Sequence, residues 1–163
     1  MEKKIALFIA MTLDGYIAPE SPQVLEWMRI TETKAKNVIM GIRTYDWLHE
    51  NIKEWPFADR ECYIFNRKEK IYTENAQHVN PSNLLSFTKE LEGNAAIVGG
   101  GKIIKSFLEN QLVDELTVAI APILLGQGTS LFPEGEYEQH LTLIETKQVN
   151  DFVEIKYKVT REN

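Results

Sequence analysis

Three stretches of this chain gather the residue types that bind anions. The first, "AIVGGGKIIKSFLEN" at Ala96–Asn110, passes from an apolar run through three glycines into a helical pattern. At such a strand-to-helix turn, free backbone N–H groups stand beside the positive end of the helix dipole. Glycine lets a phosphate approach them more closely than any residue with a β-carbon. Gly99, Gly100 and Gly101 have that placement, and Lys102 adds a positive charge that opposes the dipole but favours a bound anion. A plain tight turn is the alternative. The spacing matches neither standard phosphate motif: a dinucleotide fingerprint starting at Gly99 needs glycine where Ile104 stands, and a P-loop needs a longer loop before Lys-Ser or Lys-Thr.

The second stretch is "VIMGIRTYDW", where Gly41 marks another strand-to-helix junction and Arg43 and Thr44 fall in the opening turn. Arginine can clamp a phosphate with its fork of donors, and threonine supplies a hydroxyl and an N–H. The alternative is a surface arginine beside an ordinary helix-start threonine. The third stretch is "FNRKEK" at Phe65–Lys70, where a strand releases Asn66, Arg67 and Lys68 together. A basic cluster there can grip the 2′-phosphate that separates NADP from NAD, whereas an NAD reader more often places a carboxylate at this point. A solvated basic loop is the bland reading. Two glycine-marked helix starts in one short chain suit the two halves of a pyrophosphate.

Other chemistry is poorly supported. Cys62 is the sole cysteine, so no intrachain disulfide forms, and in "ECYIFN" it reads as a small buried hydrophobe. His49, His78 and His140 lack metal-ligand spacing, and no metal is expected. The formal charge of −6 disfavours nonspecific binding to nucleic acid. The N-terminal "MEKKIALFIAM" has only a short apolar run, Ile5–Met11, followed by Asp14-Gly15 instead of a cleavage site. No stretch is long enough to span a membrane, and a cytoplasmic protein is expected.

The elements that must position these residues alternate. Ile5–Met11 is nearly continuously apolar, as a strand covered on both faces should be. Ser21 caps a helix that begins at Pro22 and turns Val24, Leu25 and Met28 to one face, fading in "TETKAK". Strands follow at Asn37–Met40, Glu61–Phe65 and near Gln77–Val79, with a helix starting after Gly41. Asn80 and Pro81 open the next helix and Gly93 closes it. After the strand "AAIV", a stripe of Ile103, Ile104, Phe107, Leu108 and Leu112 has helical periodicity, and "ELTVAIAPILL" returns to extended structure. Leu141–Val149 and Phe152–Val159 alternate about Asn150-Asp151 as a hairpin. The order implies one α/β domain over residues 1–163, a mixed sheet flanked by helices on both faces and closed by a C-terminal antiparallel hairpin.

Five segments in this order, "AMTLDGYIA", "VIMGIRTY", "FNR", "IVGGGKI" and "LVDELTVAIAPILLGQGTSLF", resemble the dihydrofolate reductase-like family. The resemblance is nearest to the branch of the C-terminal reductase domain of bacterial riboflavin biosynthesis (RibD), and it covers nearly the whole chain. It implies a mostly parallel central sheet and NADPH bound in an extended pose. It puts the nicotinamide near backbone groups of Ala10 and Ile17, and the phosphates near Gly41, Arg43 and Thr44. Asn66 and Arg67 take the adenosine 2′-phosphate, and Val98 with Gly99, Gly100, Gly101, Lys102 and Ile103 carry the pyrophosphate from the other side. The implied reaction is hydride transfer to a small pterin- or pyrimidine-like heterocycle.

For the substrate side, "QVLEWMR" resembles the first helix of dihydrofolate reductases. With Trp27 at the familiar aromatic position, the position of the folate-binding acid falls at Val24. Glu26 is the nearest carboxylate but lies on a different face, so classical dihydrofolate reduction is not expected. Glu26 and Asp14 are the candidate catalytic residues. Glu26 also reads as a solvated helix residue, and Asp14 as a turn former beside Gly15. Trp27, Leu125 and Gly126 are the candidate substrate contacts, the last two in the loop before Gln127 and Gly128. A non-catalytic nucleotide- or pterin-binding protein on the same scaffold is the alternative. The expected partner is a small-molecule substrate, with neither nucleic acid nor membrane; the resemblance further implies a homodimer, for which the hairpin edge offers an interface.

Overall fold

The structure is a computed structural model that describes residues 3–19, 21–30, 35–68 and 76–161, without the side chains of Leu25, Met28, Arg29 and Ile30. Eight strands form one sheet: β1 Ile5–Thr12, β2 Asn37–Gly41, β3 Glu61–Phe65, β4 Gln77–Val79, β5 Ala95–Ile97, β6 Glu115–Ala121, β7 Leu141–Val149 and β8 Phe152–Val159. Among the described residues four α-helices accompany them: α1 Pro22–Ile30, α2 Ile42–Asn51, α3 Leu84–Glu90 and α4 Gly101–Glu109. The strand order is β4-β3-β2-β5-β1-β6-β8-β7. The first six run parallel, and β8 pairs antiparallel with both β6 and β7.

Both faces of the parallel block are covered, which explains the unbroken apolar run of β1. On one face Phe8, Ala10, Val38, Met40 and Ala119 pack with Val24 and Trp27 of α1 and Tyr45 and Leu48 of α2. On the other, Leu7, Ile9, Ile39 and Val118 pack with Leu84 of α3 and Ile104, Phe107 and Leu108 of α4. The α/β sheet with helices on both faces and a C-terminal hairpin is thus the architecture of the chain.

Local signals act as their chemistry dictates, with three shifts. Ser21 Oγ accepts the N–H of Val24 at 3.2 Å and caps α1. The side chains of Leu25 and Met28, expected to share the Val24 stripe, and the polar stretch 31–34 lie outside what the structure describes. Trp27, not placed on that stripe by the sequence, is buried beside Val24. The helix expected from Pro81 begins as a 3-10 turn over Pro81–Asn83, with Asn80 accepting the N–H of Ser82, and becomes α-helical only at Leu84. Proline's missing N–H makes a tightened first turn inexpensive there. Leu112, read as part of the α4 stripe, falls beyond the helix. Gln111 turns left-handed (φ 56°), the N–H of Leu112 bonds to Phe107 O at 2.9 Å, and the leucine folds back onto the same core.

Candidate functional site

The parallel strands all end at one edge of the sheet, where ligands of open α/β folds lie. Two glycine junctions meet there. The N–H of Gly41, at the end of β2, donates to Gly99 O at 3.1 Å. A β-carbon on Gly41 would meet Ile103 Cδ1 at 3.1 Å and Gly100 N at 3.7 Å, and one on Gly99 (φ 155°) would meet Thr44 Oγ1 at 2.5 Å. A β-carbon on Gly101 would meet the carbonyl oxygen of Ser130 at 3.1 Å. Gly100 differs from all of these: nothing lies within 4 Å of its β-position. The Gly99–Gly100 peptide is cis, and Gly100 caps α4 with no side-chain partner for the helix N–H groups. The bare backbone therefore packs against protein at Gly41, Gly99 and Gly101 and faces open space at Gly100.

The remaining cofactor candidates spread along the same edge. Val98 N–H bonds to Ile39 O at 2.9 Å and leads β5 into the glycines. Arg43 and Lys102 are exposed in the first turns of α2 and α4. Beyond β3, Asn66 donates its N–H to Val79 O at 3.1 Å and its side-chain amide to Lys68 O at 2.7 Å, which fixes the turn that exposes Arg67 and Lys68. The end of the "FNRKEK" cluster, Glu69 and Lys70, lies outside the described residues. Ala10 and Ile17 come together through the bridge between Met11 and Ile17 and the bond from Ala18 N–H to Ala10 O at 3.0 Å. Three strand-to-strand steps separate β3 from β1, about 14 Å in all, so these groups line an elongated track across the sheet edge.

Asp14 belongs to a clasp that sequence reasoning missed. Its carboxylate accepts the Thr12 hydroxyl at 2.7 Å and the N–H groups of Gly126 at 2.8 Å and Leu125 at 3.2 Å. The Thr12 hydroxyl, followed by the Gly126 N–H, holds this carboxyl down at about 2. Backbone bonds continue the seam, from Ile17 N–H to Thr129 O at 2.7 Å and from Leu131 N–H to Gly15 O at 3.0 Å. The same segment then presses Ser130 O toward Gly101. One continuous set of contacts thus runs from the loop of Leu125 and Gly126 to the start of α4. Asp14 is an anion engaged by three donors, the arrangement of a positioning group.

Glu26 stands in a different grouping. It is exposed on α1 and lines a cleft of about 90 Å³ with Trp27, Pro122, Asn150, Asp151 and Phe152 at the β7–β8 turn. Trp27 itself is only 1 % exposed: it stacks on Phe8 with ring centroids 4.8 Å apart and donates its indole N–H to Glu154 Oε1 at 3.0 Å. Glu154 is a buried carboxylate whose other oxygen lies 3.4 Å from Lys147 Nζ. Nothing in the sequence marked it, because a charged residue at an alternating strand position reads as solvent-facing. Val24 is 4 % exposed and sits in the core, so no carboxylate arises from that helix position.

Cys62 is buried, and burial pushes its thiol up, away from the reactive thiolate. Among the described residues no group of histidine, cysteine and carboxylate side chains has the arrangement of a metal site, and no helix is long and apolar enough to cross a membrane.

Comparison with known proteins agrees with this geometry. The chain is 31% identical to the uncharacterised protein YwjB of Bacillus subtilis, across 96% of this chain and 98% of that one. Its fold is similar to a crystal structure named for riboflavin biosynthesis from Shewanella sp. PV-4 (TM-score 0.78, 23% identity, 97% and 99% of the two chains). It is also similar to dihydrofolate reductase from Enterococcus faecalis in complex with NADP(H) and RAB-propyl (TM-score 0.71, 16% identity, 97% of each chain). The sequence profile of the RibD C-terminal domain matches residues 44–154, from the first turn of α2 to the buried carboxylate of β8. The chain therefore belongs to the RibD C-terminal domain family and carries its reductase scaffold, built on a dihydrofolate reductase-like fold.

Proposed function

We propose that this protein is an NADPH-dependent reductase acting on a small pterin- or pyrimidine-like heterocycle. The observation that carries the reading is the open space beyond Gly100, at a helix start whose neighbouring glycines are all packed by protein. The residues present fit the cofactor. Arg43, Lys102, Arg67 and Lys68 are four exposed cations along one edge of a chain of net charge −6, with no carboxylate partner among the described residues. Arg43, Thr44, Gly100 and Lys102 would hold the pyrophosphate, Asn66 and Arg67 the 2′-phosphate, and Ala10 and Ile17 the nicotinamide end. Gly41, Val98, Gly99, Gly101 and Ile103 give that cradle its shape.

When bound, the reduced nicotinamide supplies a hydride to an electron-poor carbon. This chain's own residues orient the reactants and exclude water. Asp14 acts through the loop it holds, presenting Leu125 and Gly126 to the substrate. Glu26, or water beside it, delivers the proton, since Val24 offers none.

A second reading, a binding protein without turnover, is favoured by one observation: the buried Val24 stands where the resemblance expects an acid. Titration calorimetry with NADPH, followed by cofactor oxidation across a panel of pterins, pyrimidinones and conjugated carbonyl compounds, decides between them. Micromolar NADPH binding with turnover of one class supports the reductase. Binding without oxidation supports the second reading; failure to bind NADPH overturns the reductase, and failure to bind the pterins as well overturns both.

A further inference from the structure

The edge strand β4 and the residue after it reach back to the basic turn beyond β3. Asn66 donates its N–H to Val79 O at 3.1 Å, at the end of the ladder between these parallel strands. In a continuing parallel ladder the carbonyl of Asn66 would next accept the N–H two residues beyond Val79. That residue is Pro81, which has no N–H. The side chain of His78 stands in for it, with ring Nε2 at 2.7 Å from Asn66 O. A carbonyl only accepts, so Nε2 carries the proton, which it can do in the neutral and in the protonated ring. Elsewhere in the turn the Asn66 amide donates to Lys68 O at 2.7 Å, and Asn80 Nδ2 reaches Arg67 O at 3.5 Å. The three carbonyls of Asn66, Arg67 and Lys68 are thus each held by a side chain, while the Arg67 and Lys68 side chains stay exposed.

We infer that His78 is a positioning residue that sets the preference for NADPH over NADH, acting through the carbonyl of Asn66. The inference rests on the reading that Asn66 and Arg67 hold the 2′-phosphate. A phosphate needs donors that converge on it, and a loose turn would lose backbone and side-chain freedom each time it closed on the anion. With its carbonyls tied in advance, the turn leaves only the long side chains to be ordered on binding. Arginine's planar fork adds to that economy, because little of its freedom is lost per hydrogen bond formed. Packing alone does not call for histidine here. Its register partner on β3 is the fully buried Ile64, beside which an apolar side chain would serve a half-buried strand position as well. What histidine adds is the donor that Pro81 withholds. NADH lacks the 2′-phosphate and so draws nothing from this turn.

Calorimetric titration with NADPH and with NADH, ligands that differ by the 2′-phosphate alone, tests this without any turnover. His78→Phe keeps an aromatic ring and removes the donor, and His78→Leu is a second donorless variant should phenylalanine disturb the strand. His78→Gln keeps a donor of similar reach. The donorless variants should keep the wild-type melting profile and lose NADPH affinity about three- to tenfold, the value of one neutral hydrogen bond. Their NADH affinity should be nearly unchanged, and His78→Gln should bind both cofactors as the wild type does. In the free protein, nitrogen NMR of the neutral His78 ring should find the proton on Nε2, a measurement that needs neither variant nor ligand. A proton on Nδ1 overturns the inference. So do donorless variants that bind NADPH like the wild type or lose both cofactors equally, and so does a glutamine that restores nothing. Each of these leaves the reductase reading standing, whereas a wild-type protein that binds neither cofactor removes that reading and the inference together.

Discussion

Gly100→Ala separates a phosphate cradle from a structural turn. Gly100 has φ −114° and ψ −177°, extended backbone that alanine adopts freely, and its β-position has no neighbour within 4 Å. The free protein should therefore be unharmed, or more stable by about 0.4–1 kcal/mol through loss of unfolded-state entropy. At about 2–4 °C per kcal/mol for a chain of this size, that is a melting shift of no more than about 4 °C. An anion against this backbone meets a different situation. Its oxygens need N–H groups within about 3 Å, and a methyl group holds them off at about 3.5–4 Å. Losing one charge-assisted hydrogen bond, about 1.5–3 kcal/mol, lowers NADPH affinity about ten- to hundredfold. Gly99→Ala is the contrasting control, since its β-carbon would drive into Thr44 Oγ1 from a positive φ, and it should lower the melting temperature of the free protein. Scanning calorimetry and NADPH titration on the same samples read both quantities. A Gly100→Ala protein with unchanged NADPH affinity refutes the cradle.

Three further outcomes follow from the site. Arg67→Ala should weaken NADPH binding about tenfold or more, the value of one charge-assisted bond, and leave NADH nearly unchanged; equal losses in titration would remove Arg67 from the 2′-phosphate. Asp14→Asn should loosen the loop around Leu125 and Gly126, seen as faster amide exchange there with the exchange of β1 and β6 unaltered. Because the folded carboxyl lies below its ordinary value of 3.8, at about 2, the clasp contributes fully above about pH 4. Its contribution is lost as pH falls through about 2; a carboxyl resonance of Asp14 titrating near 4 would contradict the clasp. Dihydrofolate should be a poor substrate, since Val24 supplies no carboxylate. A kcat/KM above about 10⁵ M⁻¹s⁻¹ would show that another residue takes that role and make Glu26 the first to mutate.

What the sequence revealed depended on how local the cause was. The turn at Asn150-Asp151 and the bounds of β7 and β8 were legible because two alternating segments meet at a pair of turn formers. The start of α4 was legible because glycines precede a strong apolar stripe. The resemblance supplied the parallel arrangement, while the register between strands rests on non-local pairing that no window of sequence contains. The Asp14 clasp joins residues 111 and 112 positions apart, so a turn-forming aspartate gave no hint of Leu125 or Gly126. Glu154 was invisible for a different reason: a charge on an alternating strand carries no local sign of burial, and it is an indole N–H and a lysine that make its burial tolerable. The three glycines looked alike in sequence, and only their neighbours show which one faces open space.

The central place of β1 has a consequence for how the chain is made. Its neighbours in the sheet are β5 and β6, whose last residues are Ile97 and Ala121. During synthesis at about 5–20 residues per second, the apolar strand Ile5–Thr12 waits roughly 5–20 seconds before β6 leaves the ribosome to flank it. Throughout that interval it is a hydrophobic strand with two open sides, the kind of segment that chaperones bind and that aggregates nucleate upon. Nascent chains arrested before Ala121 should accordingly be insoluble or chaperone-bound, and those extended past Val159 should be released folded.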